Sequence, residues 1–160
     1  MTQEDKELLL KDLCGRLPYG VIVNYKGLVR PLFSVSPTQH FQITLDNALD
    51  GEHNGLVYVS LDFDNADELK PYLRPMSSMT EEELKELKEE TGLIYDYENG
   101  LDLAEFQNNH KCLDFYLSEV PSYVVVLVFD WFNAHHFDYR GLIEKGLAIA
   151  ITEENNPYEH

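Results

Sequence analysis

The sequence is short of nearly everything that would announce a chemistry. Its two cysteines, Cys14 and Cys112, lie far apart and fit no CxxC or zinc-finger spacing. That speaks against a disulfide framework, and buried free thiols in a reducing compartment are expected. No apolar stretch approaches the roughly 20 residues that cross a bilayer. The longest is "VVVLVF" at 124–129. The opening "MTQEDKELLLKDL" mixes acids and bases, where a secretory signal would place a basic stretch before an apolar one. A cytoplasmic protein with no membrane contact is expected. The motifs GxSxG, Walker A, HExxH and GxGxxG are all missing, so no cofactor is implied and the expectation leans away from an enzyme.

Bases are scarce too. Twelve Lys and Arg face twenty-nine Asp and Glu, a net charge of −17. The imbalance is uneven: residues 1–45 carry five bases against four acids, a balance of +1. Residues 46–105 carry four against seventeen, a balance of −13, and residues 106–160 three against eight, a balance of −5. Such a belt repels a phosphate backbone, whose binding depends on cations displacing counterions, so direct nucleic-acid binding is not expected. Solubility is the ordinary explanation of such acidity. The functional explanation is a face offered to a basic protein partner, with Asp62, Asp64, Asp67, Glu68, Glu82, Glu86 and Glu89 as carriers.

What is present reads as α+β. Thr2 and Asp5 form a capping box ahead of a helix with Leu9, Leu10 and Leu13 on its buried side and Gly15 as its stop. Segments 21–25, 28–35, 40–45 and 56–63 are β-branched or aromatic and separated by turn residues. Pro31 suggests an edge strand or a bulge. Together they predict a small antiparallel sheet, curled or closed as an SH3-like barrel, with "NADELKPYLRP" as a turn of helix over its end. Next comes a surface acidic helix: Thr80 caps it, Glu83 completes the box, Met79 and Leu84 staple it, and Gly92 ends it. Between 93 and 120 helix and strand compete. After Pro121 a helix over 122–135, with Ser122 as cap, is followed by the strand "GLAIAI" and the frayed tail "TEENNPYEH". Residues 1–75 would hold the first helix and sheet and 76–160 the helical part, or a single domain would span 1–155.

The densest chemistry is "FDWFNAHHFDYRG" at 129–141. His135 and His136 are adjacent, so on a helix they diverge by about 100°, and on a strand they point to opposite faces. Neither geometry lets them share a metal easily, and zinc needs three or four ligands. His135, His136 and Asp138, with distant His110 or Cys112, are therefore weak metal candidates. The structural alternative fits better: one imidazole caps the helix carbonyls, Asp138 caps the next turn beside Arg140, and Gly141 and Gly146 permit the bends.

The phrases "LLLKDLCGRLPYGV" (8–21), "KPYLRPMSSMTEEE" (70–83) and "FNAHHFDYRGLIEKGLAI" (132–149) resemble a family of small proteins of gut anaerobes, often found near prophage-like or mobile elements. The resemblance implies a bacterial, phage-related, intracellular setting. It carries over no site residue, because the family has no assigned activity. The leading expectation is thus a phage-like, non-enzymatic protein-interaction module with an acidic surface. The alternatives are a DNA mimic that occupies a basic groove, or a metal-dependent enzyme built on His135, His136 and Asp138. A peptide groove formed by Tyr19, Tyr25, Tyr58 or Tyr72 is a weaker fourth.

Overall fold

A computed structural model describes residues 1–37, 41–46, 56–61, 68–93, 107, 117 and 120–159. Among these the chain is α+β, with helices α1 (Gln3–Arg16), α2 (Glu81–Thr91) and α3 (Ser122–Ala134). The strands are β1 (Ile22–Tyr25), β2 (Leu28–Pro37), β3 (Phe41–Asp46), β4 (Leu56–Leu61), β5 (Leu69–Leu73) and β6 (Ile149–Ala150). Two compact units result: Met1–Leu73 with Leu142–His160, and Arg74–Gly141.

The first unit is built on one mixed sheet of order β4-β3-β2-β1-β5-β6. Among the described residues β4 and β6 are unjoined edges, so the expected closed barrel does not form. The first four strands pair antiparallel as their alternation predicts, and the β1–β2 hairpin turns at Lys26 (φ 53°) and Gly27 (φ 86°). Both residues of a type I′ turn need positive φ, which glycine supplies without strain. Asn24 Oδ1 accepts the Gly27 amide at 2.9 Å and holds the turn.

Pro31 is not on an edge. It pairs with Ile22 inside β2, and the register shifts just beyond it, between Leu32 and Ser34. A proline with no N–H is tolerated where a bulge interrupts the ladder. The segment after residue 68 is a strand, not a closing helical turn. β5 takes the free edge of β1 and is joined in parallel by β6, which makes the sheet mixed. Leu69, Tyr72 and Leu73 are buried there, and a single turn over a barrel end would not bury them.

α1 opens on the predicted box: Thr2 Oγ1 accepts the Asp5 amide at 3.1 Å, and Asp5 accepts the Thr2 amide at 3.1 Å. Gly15 does not stop the helix, which runs on through Arg16. The added residue lets Arg16 clamp Asp12 in two bonds of 2.8 and 3.0 Å, with both side chains fully buried. A glycine inside a helix costs about 1 kcal/mol, which the helix tolerates here. The true stop is Gly20 at φ 69°. Cys14 is an exposed free thiol, contrary to the expectation of burial. One residue past Leu13, it is turned about 100° away from the core.

Nor is the tail frayed. The Tyr158 hydroxyl accepts the Ile22 amide at 3.0 Å and donates to the Tyr72 carbonyl at 3.1 Å, while Asn155 Nδ2 donates to Ala150 O at 3.0 Å. Burial pushes the Tyr158 phenol up to about 12.

The second unit packs α2 against α3. Its core gathers Met76, Met79, Leu84, Leu87, Val124, Val128, Trp131, Phe132 and Phe137. α3 starts at Ser122, as expected, but its cap differs. Pro121, not Ser122, is the cap residue, and no side chain caps the first turn.

Candidate functional site

α2 is amphipathic with few apolar residues. Leu84 and Leu87 recur with helical spacing and sink into the core, together with Thr91. Most of the remaining residues face outward. Glu81, Glu82, Glu86, Glu89 and Glu90 are exposed, with Lys85 as the one exposed base on the helix. The 3.6 Å contact of Lys85 to Glu89 joins two side chains that are both mostly in water, so it neutralises little. Glu81, Glu82 and Glu83 lie in the first turn, where the helix dipole favours carboxylates.

Glu83 has a different task. Arg74 grips it with two bonds, Nη1 to Oε1 at 2.6 Å and Nη2 to Oε2 at 3.0 Å, and it accepts the Thr80 amide at 2.9 Å. Burial pushes its carboxyl up, but these bonds outweigh burial and hold it below the usual glutamate value. The Arg74 guanidinium also lies 4.1 Å from the Phe137 ring centre. Glu83 thus anchors the helix, while Glu82, Glu86 and Glu89 remain free to meet solvent or a partner.

The other predicted carriers divide. Glu68, in the first unit, is half-buried and paired with Lys26 at 2.9 Å. Asp62, Asp64 and Asp67 lie outside the described residues, as do His110 and Cys112.

The histidine corner is built by stacking. His135 lies 3.9 Å from Trp131 at an interplanar angle of 21°, and its Nδ1 is 2.9 Å from the Trp131 carbonyl. It caps the last turn of α3, as an imidazole at a helix end is expected to do. His136 takes a left-handed φ of 58°, which swings the chain out of the helix, and its carbonyl accepts the Arg74 amide at 2.8 Å. Asp138 is buried, and its amide donates to the Arg74 carbonyl at 2.8 Å. Phe132, Phe137 and Tyr139 complete the stack, with Tyr139 donating to Asn133 Oδ1 at 3.1 Å. Among the described residues no group of three or more His, Cys, Asp or Glu could hold a metal.

No sequence pattern marks the outer side of α3. Tyr123, Val126 and Leu127 are 66%, 58% and 42% exposed. Of the tyrosines considered for a groove, Tyr72 is buried and Tyr19 and Tyr25 are half-buried, while the Tyr58 side chain is outside the described set. In the first unit, Asp5, Lys70 and Lys145 line an open depression of about 500 Å³ beside the start of α1. Asp5 there is held low by the Thr2 hydroxyl and by Lys145, 3.6 Å away. Its carboxylate already serves the capping box, so the depression has no free acid to do chemistry.

Compared with known proteins, the chain matches no family model, no curated protein and no solved structure. Among the described residues no helix is long and apolar enough to cross a membrane.

Proposed function

We propose that this protein is a non-catalytic interaction module of a phage-like setting, which offers the acidic outer face of α2 to a basic protein partner. One observation carries the reading. Five exposed glutamates share a short, doubly capped helix whose leucines and Glu83 are committed inward. A helix fixed in this way presents its carboxylates at set positions, so less ordering entropy is lost when a cationic surface docks. Complementary charge of this kind favours fast encounter and excludes acidic competitors.

A DNA mimic would need carboxylates spread at phosphate-like spacing over an extended face, and a single helix is narrower than that. The metal-enzyme alternative would have to draw His135 away from its stack on Trp131.

The test compares wild type with the triple variant E82K/E86K/E89K in capture from bacterial lysate at low and high salt. A basic protein retained by wild type at low salt, released at high salt and ignored by the variant is the expected result. Equal capture by both proteins would overturn the reading.

A further inference from the structure

Among the described residues five large apolar side chains are exposed: Met1, Phe33, Tyr123, Val126 and Leu127. Three of the five lie on α3. Isolated exposed apolar residues are ordinary on any protein surface. These three are not isolated, because i, i+3 and i+4 positions stack on one side of a helix. The helix already buries its other side through Val124, Val128 and Trp131, so the outer stripe is a second apolar face without a visible task. Such an i, i+3, i+4 set of anchors is how helices are recognised in grooves and in paired-helix contacts.

The surrounding charge identifies the occupant. The only charged residue of α3 is Asp130, which is exposed one turn beyond Val126 and Leu127. In the same unit the exposed charged side chains among the described residues are Asp130 and the five glutamates of α2, against Lys85 alone. Arg74 is committed to Glu83, and Arg140 lies over the Tyr139 ring at 4.8 Å. An acidic or neutral apolar partner would gain contact area on the stripe but nothing from this field, whereas a cationic one gains both. We propose that Tyr123, Val126 and Leu127 seat a basic amphipathic helix of the partner, one with an apolar seam flanked by Lys or Arg. The inference rests on the acidic-face reading and adds an apolar contact on α3 to it.

The experiment titrates the ¹⁵N-labelled protein with three helical peptides of equal length. One has a leucine seam with lysine flanks, one the same seam with glutamate flanks, and one the lysines with alanine in place of leucine. The Leu/Lys peptide is expected to shift the amides of Tyr123, Val126, Leu127 and Asp130. Its binding should exceed that of the other two peptides by tenfold or more and fall at least tenfold in Y123D/L127D. V126D provides the same readout should the double variant fail to fold. Equal binding of the two lysine peptides on α2, with no shift on α3, would overturn this inference and leave the acidic face standing. Equal binding of the Leu/Lys and Leu/Glu peptides would overturn the basic character of the partner. Failure of both lysine peptides to bind, with no change in E82K/E86K/E89K, would remove the acidic-face reading itself. Concentration-dependent dimerisation relieved by Y123D/L127D would assign the stripe to a second copy and overturn the proposal.

Discussion

The two units treat charged pairs differently. The first takes a charged pair inside: Asp12 and Arg16 are fully buried and bidentate, and the Tyr158 hydroxyl bridges two strands of the sheet nearby. The second buries no ion pair among its described residues, though Asp138 lies inside; it fills its interior with Trp131, Phe132 and Phe137 and leaves apolar residues on its surface as well. The contrast separates two jobs. A buried ion pair contributes little net stability, because desolvation offsets its attraction, but it demands one arrangement of its neighbours. An aromatic stack contributes area and tolerates a partly apolar exterior. The first unit invests in specificity, and the second leaves surface available for contact.

The comparison breaks first at Asp12. Asp12→Ala strands a buried guanidinium and should cost about 3–5 kcal/mol, whereas replacing both partners with leucine and methionine should restore most of it. Urea unfolding of the single and double variants checks this, and a double variant as unstable as the single would refute the charge-specific account. In the second unit Phe132→Ala should cost a comparable 3–5 kcal/mol by cavity formation alone, with no rescue from any charge change. Hydrogen exchange should localise that loss to α2 and α3.

A smaller effect comes from alkali. Tyr158 titrates near 12 in the folded chain and near 10 when unfolded, so its raised value favours the protonated fold. The contribution is complete below pH 10 and is lost as pH climbs toward 12, a change of about 2–3 kcal/mol. Tyr158→Phe should flatten this alkaline slope while losing about 1–2 kcal/mol at neutral pH, since the Ile22 amide then lacks its acceptor. Thermal melts from pH 8 to about 12 would decide, by the usual linkage relation.

Smaller still is Glu83. Its carboxyl is lowered in the fold, so its contribution is present above the ordinary glutamate range and is lost as pH falls. Glu83→Ala should cost about 1 kcal/mol at pH 7, mostly through the lost cap and Arg74 contact. The gap to wild type should close in acid. The least effect on stability is expected for E82K/E86K/E89K, within about 1 kcal/mol, because these side chains touch mostly water. That variant would separate binding from folding.

Legibility followed the range of each interaction. The box at Thr80 and Glu83, the Met79–Leu84 staple and the Gly92 stop all act within a few residues, and each stands where the sequence places it. The same holds for the turn between the segments 21–25 and 28–35 and for the helix after Pro121. The histidine corner was legible in part, since an imidazole at the helix end is expected to cap its carbonyls and His135 Nδ1 meets the Trp131 carbonyl. The Trp131 stack on His135 needed only an i, i+4 spacing. The buried Asp12–Arg16 pair was missed although it has that same spacing, since a charged pair on a helix is usually solvated. The exposed stripe of α3 was hidden within an apolar run whose inner and outer sides read alike.

By itself, then, the sequence determined the local elements, the acidic balance and the commitment of α2 to an outward acidic face. Only the tertiary structure decided that β5 would bridge β1 and β6, that Tyr158 would pin the tail to strands far back in the chain, and which side of α3 would remain open. The physical reason is that caps and turns are settled by neighbouring backbone groups. Strand partnership and burial depend on which distant surface is available to exclude water, and no local pattern specifies that.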